Sequence, residues 1–439
     1  MEVLVMVGQL ILGLSIIVGL HELGHLFAAK MFGMRVEKYF IGFPPKVWSI
    51  TRGGTEYGIG AIPLGGFVKI SGMIDESMDK EQLNRPAEPW EFRSKPAWQR
   101  LIVMLGGIIV NIIVGIIIFI GISYTNGKEY ITKEEVNKYG VFASHLAEEI
   151  GFKTGDRIVN INGKDFESFE EAVTSSDVFL GTNSYYTVLR DGKEIRIDVP
   201  NNFIEKLSEP GARSSFLQPG VPFVIGELTA GQPAEKAGLK QGDQIIAVNG
   251  APTPYFQIFK QQLDEVKGEN ASLSVIRNHD TLTVSTPVKD DGTIGIAAKF
   301  LLNYVKVDYT FPEAVGVGAK TAFNAVFSQV KAFGKIFRGE VSATKSLSGP
   351  IGIAKMFGGT WDWGHFWFLT GLLSMILAFM NALPIPALDG GHSVILLFEM
   401  ISGHKPSDKF LEKAQVVGMV LLLGLMAFAI FNDVWKVIF

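Results

Sequence analysis

The sequence predicts a polytopic α-helical membrane protein with four transmembrane helices, two inserted α+β domains and a membrane-associated β-hairpin. Three observations carry that reading. Four apolar stretches are long enough to cross a bilayer, a glycine-bounded pattern recurs 87 residues along the chain, and His21-Glu22-Leu23-Gly24-His25 stands at the end of the first apolar run.

The spans are expected at about Val3–Ala29, Leu101–Ser123, Phe366–Leu383 and Ala414–Phe431, each approaching the ~20 residues that a ~30 Å hydrocarbon core requires. The fourth reads as the shortest. Composition agrees: of 439 residues 47% are hydrophobic and 19% charged, below the ~25% charge of ordinary soluble proteins. The net charge of −4 offers no basic surface for nucleic acid, and the absence of cysteine excludes disulfides and thiolate-held metal. The first run has no basic region ahead of it and no small-residue cleavage site, so it is expected to be retained as a span. Basic residues set the orientation. Lys30, Arg35 and Lys38 follow span one, Arg93, Lys95 and Arg100 precede span two, and Lys405, Lys409 and Lys413 lie between spans three and four. Those loops are expected to be cytoplasmic, with both termini and the stretch from about Asn126 to Lys306 on the opposite face.

Within that stretch, Gly155-Asp156-Arg157-Ile158-Val159-Asn160-Ile161-Asn162-Gly163 is echoed by Gly242-Asp243-Gln244-Ile245-Ile246-Ala247-Val248-Asn249-Gly250. Each copy reads as a turn, a short strand and a second turn. Ahead of the second, Pro233 to Leu239 reads as a short helix stopped by Gly238. This resembles the PDZ domain, closely in the second copy. The first departs from the pattern, with Glu149-Ile150-Gly151-Phe152 at the helix end. PDZ domains bind extended peptides by strand addition; the copies could equally fill space or gate access. Elsewhere, Thr55 to Ser71 reads as a hairpin with an open edge, able to pair with an unwound substrate or to lie passively on the membrane. Phe311 to Phe337 reads as an amphipathic helix along the interface, with Lys320, Lys331, Lys335 and Arg338 on it. The expected domains are therefore 1–126, 127–212, 213–306 and 307–439.

His-Glu-x-x-His on a helix puts two imidazoles on one face to share a metal ion, beside a glutamate able to activate water. Ionisable groups at membrane depth are costly and mark function. A catalytic metal needs a third ligand, for which Asp389 is the candidate. It follows span three in Asn381-Ala382-Leu383-Pro384-Ile385-Pro386-Ala387-Leu388-Asp389-Gly390-Gly391, where two prolines stop the helix and two glycines permit tight turns. Asp389 could otherwise merely cap that break.

The two motifs, with Phe92 to Arg100 and Ser348-Gly349-Pro350-Ile351, resemble the site-2 protease family of intramembrane zinc metalloproteases, in particular the bacterial branch with tandem PDZ domains, the regulator of sigma-E proteases. The resemblance covers essentially the whole chain. It implies one zinc ion held by His21, His25 and Asp389, with Glu22 as general base. Asn381 would orient the substrate strand or stabilise the carbonyl oxygen, unless it only satisfies backbone groups freed by the break. The resemblance also implies a multi-pass protein of the bacterial inner membrane, with periplasmic PDZ domains acting as a size filter and an active site near the cytoplasmic side. Its substrates would be single-span membrane proteins, an anti-sigma factor after a first cleavage and signal-peptide remnants, met in the lipid bilayer as part of an envelope-stress response. Two other classes compete: a membrane-anchored PDZ scaffold with a vestigial metal site, and a metal transporter. The intact Glu22 argues against the first, and the single cluster against the second.

Overall fold

A computed structural model describes residues 1–73, 86–207, 212–342, 344 and 348–438. The chain divides into two compact units, one formed by Met1–Gly127, Asp308–Phe333 and Leu347–Phe439, the other by Lys128–Val307 and Gly334–Ser346.

The first unit begins with helix α1 (Glu2–Met31). Strands β1 (Val36–Arg52) and β2 (Thr55–Ile70) follow, joined at Gly53 and Gly54, both at positive φ as a two-residue hairpin turn requires. The expected hairpin within Thr55–Ser71 is thus only its second strand. The first was hidden because Gly42, Pro44 and Pro45 read as breakers. These residues interrupt β1 without ending it. Its first half, Lys38 to Ile41, pairs on one side with Glu56–Ile59 and on the other with Gly66–Lys69, so the long hairpin curls onto itself. This sheet seats on α1: Val36, Phe40 and Ile70 are buried, and the Tyr39 hydroxyl donates to the Gly19 carbonyl at 2.7 Å. Helix α2 (Ala97–Asn126) returns alongside α1. The two backbones touch where a Cβ on Gly24 would stand 2.3 Å from the Gly106 carbonyl oxygen, and one on Gly106 would stand 2.6 Å from the Gly24 oxygen. Only glycine permits this approach.

The second unit holds two lobes of the same build. In the first, β3 (Val141–Ala143), α3 (His145–Glu149), β4 (Arg157–Ile161), α4 (Phe169–Thr174), β5 (Tyr185–Arg190), β6 (Lys193–Asp198) and β7 (Leu217–Pro219) follow in order. In the second, β8 (Phe223–Leu228), α5 (Pro233–Lys236), β9 (Gln244–Val248), α6 (Phe256–Glu265), β10 (Asn270–Arg277), β11 (Asp280–Pro287) and β12 (Ile296–Phe300) repeat the series. Each lobe pairs its first strand with its last and runs its three longer middle strands in order as an antiparallel sheet, to which the second lobe adds the short pairing of Ala251–Pro252 with Ala247 and Val248. The first lobe therefore does not depart from the second at its helix end. Gly151 and Gly238 both take positive φ, and Phe152 and Leu239 are both buried behind them. Each repeat aspartate anchors an arginine that no local pattern reveals: Arg190 grips Asp156 at 2.6 and 2.7 Å, and Arg277 grips Asp243 at 2.7 and 2.6 Å. Burial alone would push the Asp243 carboxyl up, but Arg277 and the Lys240 amide outweigh it and hold it below the usual range. This unit also takes in Lys335, on the helix expected to lie along the membrane interface. It is 1% exposed, its Nζ donating to the carbonyls of Asn201 at 2.6 Å and Phe179 at 3.2 Å.

Lys335 lies near the end of α7 (Phe311–Phe337), whose earlier part belongs to the first unit and presses Gly318 onto the α2 backbone at Ile120. Then come α8 (Pro350–Met356), α9 (Trp363–Asn381), α10 (Asp389–Ser402) and α11 (Asp408–Ile438). Among the described residues four helices are long and apolar enough to cross a membrane: α1, α2, α9 and, over Lys409–Trp435, α11. The fourth is not the shortest, as its sequence suggested. That place falls to α9 with 19 residues, because Pro384 and Pro386 follow it closely. Asp433 on α11 accepts the Gly349 and Gly352 amides at 2.9 Å each, capping α8.

Because the Gly24 contact is backbone on backbone, Gly24→Ala is expected to force α1 and α2 apart and to destabilise the full chain by about 1–3 kcal/mol, read as a fall in Tm. Gly8→Ala, where a Cβ meets nothing within 4 Å, should leave Tm unchanged or raise it.

Candidate active site

His21 and His25, one turn apart on α1, present their Nε2 atoms 3.2 Å from each other. The first residue of α10 completes the group, with Asp389 Oδ2 3.1 Å from His21 Nε2 and 3.3 Å from His25 Nε2. Both histidines are buried. Among the described residues this is the one cluster of three such groups that could hold a metal ion.

The protons can be assigned from the surroundings. His25 Nδ1 lies 2.8 Å from the Val103 carbonyl, which only accepts, so Nδ1 carries the hydrogen and Nε2 turns a lone pair inward. His21 Nδ1 lies 3.1 Å from the Asn111 amide. Amide oxygen and nitrogen are interchangeable by rotation. Turned so that Oδ1 faces the ring, Asn111 holds His21 in the same tautomer and satisfies an oxygen otherwise left buried without a partner. Asp389 Oδ2 likewise has no hydrogen-bond partner. Three lone-pair atoms thus converge with no proton to share, an arrangement that a cation resolves. Ligands about 2.0–2.1 Å from a tetrahedral zinc stand about 3.3 Å apart, close to the distances seen. Space is kept by Gly107 on α2: a Cβ there would lie 2.4 Å from His25 Nε2 and 2.7 Å from His21 Nε2.

Asp389 is delivered by a tightly folded loop. A Cβ on Gly390 would meet the Leu383 oxygen at 2.4 Å and one on Gly391 the Ile385 oxygen at 2.3 Å, while Ala387 takes a φ of 88°, a region that favours glycine. Glu22 and Asn381 share a cavity of about 490 Å³ with the three atoms. Asn381 Nδ2 lies 3.3 Å from His21 Nε2, and Glu22 lies against β2, where a Cβ on Gly66 would stand 3.5 Å from its side chain. The cavity wall includes Gly65 to Val68 of β2, and His392, which is bonded to Gln415 of α11 at 3.0 Å. All five residues singled out in the sequence therefore meet. Sequence reasoning does not assign Gly107 or Asn111 to the site, although both interrupt the apolar run of span two. An amide at the middle of an apolar span was itself the signal.

The sequence profile of Peptidase family M50 matches residues 9–425. The chain belongs to this family. It is 30% identical to the regulator of sigma E protease of Haemophilus influenzae, covering 97% of this chain and 98% of that one. It is 29% identical to the regulator of sigma-E protease RseP of Escherichia coli K12, covering 96% and 97%, and 29% identical to a protein named as a zinc metalloprotease in Pasteurella multocida, covering 96% and 97%. Membership of the M50 family makes the chain a zinc metalloendopeptidase.

Two substitutions test the site without touching its ionisable groups. Gly107→Ala is expected to abolish stoichiometric zinc, read by metal analysis of the purified chain, with helix content by circular dichroism unchanged. Asn111→Leu should keep the fold and weaken zinc about 10–100-fold, as loss of a ligand-orienting hydrogen bond does, measured by chelator competition.

Proposed function

We propose that the chain is an intramembrane zinc protease that cleaves single-span membrane proteins within or near their membrane segments. One ion would be held by His21, His25 and Asp389. The observation that carries this reading is the triangle of buried lone-pair atoms with Glu22 beside it. Zinc bound there supplies Lewis acidity toward the scissile carbonyl and the attacking water. Glu22 takes a proton from that water and returns it to the leaving amine. Asn381, on the same cavity, orients the substrate strand or donates to the carbonyl oxygen as charge develops.

A peptide bond inside a helix is protected because its backbone is hydrogen-bonded to itself. Among the described residues Gly66 to Val68 of β2 pair on one side only, with Tyr39 to Ile41, and their other edge, next to Glu22, suits an unwound substrate segment that pairs as an added strand. The two repeated lobes are read as PDZ domains, over residues 127–212 and 213–306, that screen substrates by the size of their extracytoplasmic parts. The names of the relatives bring the likeness to a regulator of sigma-E. On that basis the substrates are an anti-sigma factor already trimmed by a first protease, and signal-peptide remnants. The chain then sits in the bacterial inner membrane, with its lobes periplasmic and its active site toward the cytoplasm, as the Lys and Arg of its short loops favour.

Glu22→Gln tests the reading with a tagged single-span substrate that has a short extracytoplasmic tail. The variant is expected to keep its zinc and to lose cleavage by about 10²–10⁴-fold, the range for a general base. Equal cleavage by both proteins would sink the assignment.

A further inference from the structure

Helix α10 begins at Asp389 and ends with an unusual charge. Glu399 lies in its last turn, where the helix dipole disfavours a carboxylate and where α10 has no basic residue of its own. Glu399 is matched instead by Arg100 in the first turn of α2, its Oε1 2.5 Å from the Arg100 Nη2, with both side chains largely buried (15% and 8% exposed). Arg100 is held in turn by its Nε, which donates to the Lys95 carbonyl at 2.9 Å. Helix α2 also supplies Val103, Gly107 and Asn111, the three residues that surround His21 and His25. At 1.5 Å per residue, the pair sits about 15 Å along α10 from Asp389 and within about 17 Å along α2 from Asn111.

These two helices are thus clasped at one end by the ion pair and meet at the other around the metal cluster. The loop contacts of Gly390 and Gly391 join α10 to the segment after α9, not to α2. Asp389 Oδ2 has no hydrogen bond to steady it. Helix α10 packs along α2, which in turn holds the imidazoles of α1, and among the described residues the Arg100–Glu399 pair is the salt bridge that joins α10 to α2; metal sites tolerate only about 0.2 Å in ligand distance. We propose that Arg100 and Glu399 are positioning residues for Asp389: their ion pair fixes the axial register of α10 against α2 and so sets how far the Asp389 carboxylate reaches toward His21 and His25. This rests on Asp389 being a zinc ligand.

The test is zinc affinity of the full chain in detergent, by competition with a chromophoric chelator, for wild type, Asp389→Ala, Glu399→Leu, Arg100→Leu and the combinations. Glu399→Leu and Arg100→Leu are each expected to weaken zinc about 10–100-fold. Removing both should be no better than removing one, and Glu399→Leu added to Asp389→Ala should cause no further loss, because its effect passes through that carboxylate. Return of the double variant to wild-type affinity would overturn the proposal, since only a stranded buried charge would then be at work. So would an equal loss with and without the Asp389 carboxylate, the mark of a general structural role. If Asp389→Ala holds zinc as tightly as wild type, the ligand assignment itself falls, separately from the behaviour of the pair. Should Glu399→Leu fail to fold, Glu399→Gln, which keeps the volume and drops the charge, is expected to show the same dependence on Asp389.

Discussion

The contact between α1 and α2 is the constraint on which the rest of the catalytic unit depends. Apolar helices gain little from burial against each other in a lipid environment, and close packing of small residues is what brings their backbones together. Here Gly24 lies between the two histidines, and its backbone meets that of Gly106. The next residue on α2, Gly107, leaves the space between the two imidazole rings open. One close approach therefore brings the Val103 carbonyl to His25, puts the Asn111 amide against His21 and preserves a void of metal size. A larger residue at either glycine would disturb all three.

This explains which parts of the site could be read from the chain. His21, Glu22 and His25 lie within one helical turn or so, and Asp389 stands in a loop whose prolines and glycines advertise a break at membrane depth. Their signals are local. Asn111 and Gly107 act only once α1 and α2 are packed, and an isolated glycine or asparagine in an apolar span has many readings. Arg100 and Glu399 are 299 residues apart, and nothing near either one names the other. The same holds for β1. Its alternation is broken by Gly42, Pro44 and Pro45, and it becomes a strand only because β2 supplies partners on both sides.

The second unit shows the opposite case, in which local pattern understated the likeness of the lobes. The Gly-Asp turns are legible because they recur at a fixed offset, yet Glu149 to Phe152 departs from the pattern of the second copy in sequence. The structure shows why those identities matter little. The position needs a glycine at positive φ followed by a buried apolar side chain, and Gly151-Phe152 meets that need as Gly238-Leu239 does. The stronger constraint is the buried aspartate. Asp156 and Asp243 are each 1% exposed, and each accepts from an arginine of the second sheet strand and from a backbone amide three residues back. Stranding such a charge costs about 3–5 kcal/mol, so the arginine is bound to the aspartate as closely as the turn is.

Glu22 connects the fold to the chemistry. It belongs to α1 yet lies against β2 at Gly66, so the group read as the base stands between the histidine-bearing helix and a strand that, among the described residues, is paired there on one side only. A Cβ on Gly66 would lie 3.5 Å from the Glu22 side chain and 2.7 Å from the Phe40 oxygen, which leaves this stretch of β2 thin beside the cavity. A substrate segment paired to that edge would run past Glu22 in extended form, its carbonyls freed from any helix. On the proposed reading, unwinding and catalysis would fall to adjacent surfaces: the strand would supply backbone hydrogen bonds to replace those of the opened helix, and the carboxylate beside that strand would act on the exposed bond. The curl of β1 around its own hairpin is what brings the Gly66–Lys69 edge back to α1, which is why a seemingly ordinary hairpin has to be so long.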